Sequence, residues 1–168
     1  VNGGLDCRKV SDGTFCGPNW PFRLANYGFN SNFSPTQFFD EVNQHIWIPT
    51  ADRLTGTGFV CVDVSVIETP GFCGGSKETA WKMVKARANA NETSVYDIIA
   101  ANGKIYAWDV LSPALLCYDY LANNGMGAAC SSMPTFSRLV AGSIRATNNI
   151  PFTYSGFKAA FGNIYGQL

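Results

Sequence analysis

Six cysteines, Cys7, Cys16, Cys61, Cys73, Cys117 and Cys130, constrain this chain more than any other feature. None lies in the C-x-x-C pairs that zinc and iron–sulfur sites favour, and His45 is the only histidine, so no metal set is expected. An even number of well-spread cysteines fits three disulfides, and disulfides belong to oxidising compartments. Six cysteines allow fifteen pairings. Proximity along the chain favours Cys7–Cys16, Cys61–Cys73 and Cys117–Cys130, each closing a short loop worth about 3 kcal/mol in the chain-entropy description.

The rest of the composition agrees with a secreted protein. The chain has 168 residues, of which 46% are hydrophobic, enough for one compact domain over residues 1–168. Twelve basic residues balance twelve acidic ones, and charged residues make up only 14%. That balance points away from nucleic acid and from anionic membrane surfaces. Lys77, Lys82, Lys85 and Arg87 read as the solvated face of a helix. Asn32-Phe33-Ser34 and Asn91-Glu92-Thr93 are N-glycosylation sequons at Asn32 and Asn91. No long apolar run and no leader-like segment is present, so membrane insertion is not expected and the chain reads as a mature form from Val1. No cofactor motif is matched; the Gly-rich turn before Ser76-Lys77 lacks the spacing of a phosphate loop.

Periodicity and punctuation predict a helix-rich α+β domain with a small sheet, stapled by three disulfides. Residues 17–33 read as a long loop, broken by Pro18, Pro21, Gly17 and Gly28. Ser34-Pro35 resembles a helix start, with Phe38, Phe39, Val42 and Ile46 at helical spacing until Pro49. Val60, Val62, Val64 and Val66 alternate with Phe59, Cys61, Asp63, Ser65 and Ile67, which predicts a strand over 57–68. Further helices are expected from Ser76 to about Asn89, from Ser94 to Asn102-Gly103, from Ser112-Pro113 to Asn124-Gly125, from Pro134, and from Ser155. Lys104–Val110 reads as a second strand.

Three constellations offer chemistry. On the helix expected over 34–48, Glu41 and His45 stand four residues apart, where a carboxylate can hold an imidazole as an acid–base pair; the same pair also suits the polar face of an ordinary amphipathic helix. Gly71-Phe72-Cys73-Gly74-Gly75 has the G-x-C-x-G form of a nucleophile elbow, but its histidine lies upstream and Cys73 is needed for a disulfide. Asp63 and Asp109, each on an expected strand, could serve as a carboxylate pair acting on a glycosidic bond, with Trp47, Trp81 or Trp108 stacking on sugar. Each reads better as structure than as a catalytic site. A small secreted hydrolase of polysaccharide is therefore the alternative reading, and a cell-wall structural protein is another.

The leading reading is recognition. Trp20, Phe22, Arg23 and Tyr27 share the 17–33 loop with Phe29 and Phe33, and aromatics with arginine are the residue types that anchor interfaces. The competing reading tucks these rings inward as a satellite core. If the loop is a binding surface, Trp20→Ala or Arg23→Ala weakens binding and leaves the melting temperature nearly unchanged. In its even cysteine count, weak charge and richness in Asn, Gly, Ser and aromatics, the chain resembles the small secreted cysteine-containing proteins of filamentous fungi, effectors and elicitors among them. That resemblance implies an extracellular protein that binds a host molecule: a protease it inhibits, a receptor, or a polysaccharide.

Overall fold

The structure is a computed structural model that describes residues 4–30, 37–52, 54–86, 95–109, 114–125, 127–130, 158–160 and 163–165. It is built mainly from antiparallel strands, not from the expected helices. In chain order the strands are β1 (Phe29–Asn30), β2 (Phe38–Asp40), β3 (His45–Asp52), β4 (Gly56–Asp63), β5 (Gly71–Phe72), β6 (Trp81–Ala86), β7 (Val95–Ala101), β8 (Lys104–Asp109), β9 (Ala114–Asp119), β10 (Ala128–Ala129), β11 (Lys158–Ala160) and β12 (Asn163–Tyr165). Among the described residues one regular α-turn, α1, is formed, spanning Lys77–Ala80.

The long hairpin β3–β4 is the centre of a six-stranded sheet. β1 and β2 share the outer edge of β3, while β5 and β6 share the outer edge of β4. The hairpin pairs from His45↔Asp63 through Asp52↔Gly56. Since side chains alternate along a strand, this register places His45, Trp47, Cys61, Asp63 and Phe59 on one face, and Ile46, Ile48, Val60 and Val62 on the other. A second sheet of four strands runs β10-β9-β8-β7, and β11–β12 form a separate hairpin.

Both faces of the central hairpin are covered, which is why apolar residues run unbroken through Ile46–Pro49 and Phe59–Val62. On one face Trp47 and Phe59, each fully buried, meet the ring of Tyr118 from β9 at centroid distances of 5.3 and 6.1 Å. Ile105, Ala107 and Leu116 of the second sheet belong to the same core. On the other face lies the N-terminal segment. Leu5 and Phe22 exchange backbone hydrogen bonds of 2.9 Å, and Phe22 and Phe29 contact the Phe72 ring at 5.3 and 6.3 Å. Truncating a ring such as Phe59, which has no solvent contact, costs about 3–5 kcal/mol.

All three disulfides follow the nearest-neighbour pairing: Cys7–Cys16, Cys61–Cys73 and Cys117–Cys130. The first clips a hairpin held by the Arg8↔Phe15 bridge. The second ties β4 to the turn after β5, and the third ties β9 to the residue after β10.

The helix expectations fail for identifiable reasons. Over 38–46 the helical spacing coincides with a hairpin: Asp40 accepts from the backbone N–H groups of Val42 and Asn43 and from the Asn43 amide, folding the chain back so that Phe38 pairs with Trp47. Val42, expected on a buried helix face, is exposed at the turn. Ser76 does cap a helix, accepting from the Thr79 N–H while the Thr79 hydroxyl accepts from the Ser76 N–H. That helix lasts one turn, because from Trp81 onward the backbone joins the edge of β4. The expected basic helix face goes with it: Lys77 lies in α1 and Lys82 in β6.

Asn102-Gly103, read as the end of a helix, is the two-residue turn of the β7–β8 hairpin, with φ of 51° and 72°. Positive φ at both central positions is the requirement of that turn, and Asn-Gly meets it. Asn123, Asn124 and Gly125 likewise adopt positive φ in a left-handed turn after β9, replacing the expected helix over 112–125. Lys158–Ala160 and Asn163–Tyr165 pair as antiparallel strands where a helix from Ser155 was expected. The helix expected from Pro134 lies outside the described residues. Among the described residues no helix is long and apolar enough to cross a membrane.

Candidate functional site

Of the loop expected over 17–33, residues 17–30 are described, with Trp20 and Phe22 buried and Arg23 and Tyr27 exposed; Phe33 lies outside the described residues. Trp20 is 6% exposed and donates its indole N–H to the Ile67 carbonyl oxygen at 2.5 Å. Phe22 is buried as well, and both belong to the core on the outer face of the first sheet. Trp20 therefore serves the fold, and the expectation that Trp20→Ala spares the melting temperature does not stand. Arg23 and Tyr27, by contrast, are exposed.

Local chemistry explains this division. Leu24–Tyr27 form a 3-10 turn that buries Leu24 and stops at Gly28, whose φ of 86° suits glycine. The turn brings Tyr27 over the aromatic cluster, stacked on Phe22 at 5.7 Å and edge-on to Phe72 at 4.7 Å. Such pairs add roughly 0.5–1.5 kcal/mol beyond burial, so Tyr27 is held in place although 43% exposed.

Above this cluster opens a cleft of about 340 Å³, lined by Asn19, Pro21, Phe22, Arg23, Asn26, Tyr27 and Pro70. Arg23 is the one formally charged residue of that lining, which also holds two carboxamides and a phenol. This is hydrogen-bonding and ring-contact chemistry. The lining contains no carboxylate, histidine or hydroxyl nucleophile other than the Tyr27 phenol, and so no acid–base pair.

The sequence candidates for catalysis are rearranged. Glu41 lies in the exposed β2–β3 turn, where its carbonyl accepts from the Gln44 side-chain amide at 2.6 Å. His45 opens β3, so the Glu41/His45 pair on one helix face does not form. Instead His45 stands across the ladder from Asp63. Burial acts to raise the Asp63 pKa, but the Ser65 hydroxyl and amide and the nearby His45 outweigh it and hold the carboxyl below its ordinary range. Asp109 ends β8 opposite Ala114, and its side chain lies outside those described. Of the tryptophans offered as sugar platforms, Trp47 is fully buried and Trp81 donates to the Thr55 hydroxyl at 3.1 Å. The Trp108 side chain and both sequons, Asn32 and Asn91, lie outside the described residues.

Two candidates that the sequence holds apart do meet. His45 Nδ1 or Nε2 and the sulfurs of Cys61 and Cys73 lie within 4.8 Å of one another. His45 Nδ1 is buried with no hydrogen-bond partner among the described residues. Sequence spacing could not reveal this group; the β3–β4 register, with Trp47 opposite Cys61 and His45 opposite Asp63, brings it together.

A second unforeseen group is an ion pair. Lys77 Nζ lies 2.6 Å from Asp52 Oδ2, with the Asp52 side chain only 4% exposed, and 4.9 Å above the Phe29 ring. It joins α1 to the β3–β4 turn.

The chain matches no protein-family model, no curated protein and no solved structure.

Proposed function

We propose that this chain is a secreted recognition protein that binds an extracellular protein through the cleft between residues 19–27 and Pro70. The observation that carries the reading is the pairing of an exposed Arg23 and Tyr27 with a buried base. Their neighbours Trp20, Phe22 and Leu24 are core, so the two anchor residues are presented on a fixed support. Preorganised aromatic and arginine side chains concentrate binding energy, because little conformational entropy remains to be lost on association.

Three disulfides fit an extracellular setting. The resemblance to secreted fungal effectors gives the partner's class, a host or environmental protein such as a secreted protease held in an inhibited state. The cleft is large enough to take an inserted side chain, with Arg23 favouring an acidic or carbonyl-rich contact.

The test is capture of partners from extracellular fluid by the disulfide-intact protein, followed by cross-linking and mass spectrometry. The reading predicts a stoichiometric protein cross-linked near residues 19–27 and 70. A partner cross-linked only elsewhere, or a polysaccharide in its place, contradicts it.

A further inference from the structure

The single histidine and the glycine-flanked Cys73 take no part in the recognition cleft, yet the fold brings them together. We propose that Cys61, Cys73 and His45 form a reduction-gated site for a soft or borderline divalent cation, Zn²⁺ above all.

Three observations support the site. The donor set is two sulfurs and an imidazole nitrogen, the Cys₂His set that holds zinc with a fourth position open. The donor atoms already lie within 4.8 Å of one another, and tetrahedral zinc keeps such donors roughly 3.5–3.8 Å apart, given Zn–S of about 2.3 Å and Zn–N of about 2.0 Å. In the disulfide the two sulfurs are bonded to each other, so on reduction they part to reach that spacing, while the imidazole closes by about an ångström. Finally, His45 Nδ1 is buried without a hydrogen-bond partner among the described residues, a cost that ligation through this nitrogen would remove.

In the oxidised protein the S–S bond occupies the sulfurs and the site is closed. A dithiol reductant opens it: the reductant gives two electrons and two protons and becomes a disulfide, while Cys61 and Cys73 become thiols. Zn²⁺ then displaces the two thiol protons to solvent and binds two thiolates and the neutral imidazole, a complex with no net charge from these four partners. Water or the Asp63 carboxylate, across the ladder from His45, completes the coordination.

Access runs through the Cys73 side. β5 has only two paired residues, Gly71 and Phe72, and the turn behind Cys73 is Gly74-Gly75, both at positive φ. Nothing crowds Gly71 or Gly75 within 4 Å of where a Cβ would stand. The Gly74-Gly75 turn can shift Cys73 while Phe72 stays packed in its aromatic cluster, whereas Cys61 is fixed in the central hairpin.

The experiment is a Co²⁺ titration of the full chain, oxidised and after reduction by a phosphine, read by thiolate-to-cobalt absorption. Because His45 is the only histidine, the two other reduced cysteine pairs cannot imitate an imidazole-dependent site. The reduced protein is expected to give a tetrahedral cobalt spectrum at one equivalent. His45→Ala should weaken that binding roughly tenfold or more, and Cys61→Ser/Cys73→Ser should abolish the spectrum. As a second readout, Zn²⁺ should shift the His45 ring ¹⁵N resonances in the reduced protein only. Binding unaffected by His45→Ala overturns the proposal, whether the reduced chain keeps its sheets or loses them. So does equal binding by the oxidised protein.

Discussion

Trp20 donates its indole N–H to the carbonyl oxygen of Ile67, joining the N-terminal segment to the loop after β4 across 47 positions of sequence. The contact anchors the segment that carries Arg23 and Tyr27 to the loop after β4. Trp20→Ala removes a buried ring and this hydrogen bond, and is expected to cost about 3–5 kcal/mol. Trp20→Phe keeps most of the apolar contact and should cost about 1–2 kcal/mol, chiefly by leaving the Ile67 carbonyl unpaired. Chemical denaturation of the two variants checks the order.

Asp52 makes stability depend on acid. Burial acts to raise its pKa, but the Lys77 ammonium and the amides of Leu54 and Thr55 outweigh it, so the folded-state pKa is lowered. A lowered carboxylate contributes stability that is fully present above its unfolded pKa, near pH 4, and lost as pH falls through the folded value. Asp52→Asn should therefore be less stable than the parent at neutral pH, by about 2 kcal/mol for an ion pair whose lysine is partly exposed. The difference should shrink toward zero in strong acid, as denaturation midpoints measured across pH would show.

Gly58 sits where β4 and β6 shift register, and a Cβ there would run into the Lys82 backbone. No flexible side chain can give way. Gly58→Ala is expected to destabilise by about 2–3 kcal/mol or more, with faster amide exchange along 81–86 and little change in the β3 ladder. Hydrogen exchange resolved by residue distinguishes this local effect from global loosening.

Parts of this architecture are legible in the sequence. The valine alternation after Thr57 marks β4 but overruns its end at Asp63, Lys104–Val110 marks β8 within one residue, and the nearest-neighbour cysteine pairing is the one formed. The helices are misread because caps and turns use the same residues. Ser76 is a true N-cap, yet the helix behind it yields after one turn to the ladder with β4, a long-range contact that no local pattern announces. Asn102-Gly103 stops a helix or turns a hairpin, and only the pairing of Ala101 with Lys104 decides.

The candidate site is half legible for a related reason. Arg23 and Tyr27 stand exposed around a cleft, while Trp20 and Phe22 beside them face the core. Composition ranks all four as interface anchors, and only the packing against Phe72 and Ile67 separates support from contact surface. His45 shows the same limit. Glu41, its neighbour by helical spacing, is replaced by Asp63, a partner supplied by register.

The most direct test of the recognition reading is a binding isotherm for the cross-linked partner against the parent protein, Arg23→Ala and Tyr27→Ala, with melting temperatures measured on the same samples. Loss of about tenfold or more in affinity for Arg23→Ala, with its melting temperature nearly unchanged, is the predicted result. Parental affinity in both variants, folded and intact, would contradict the assignment of the cleft as the site of recognition.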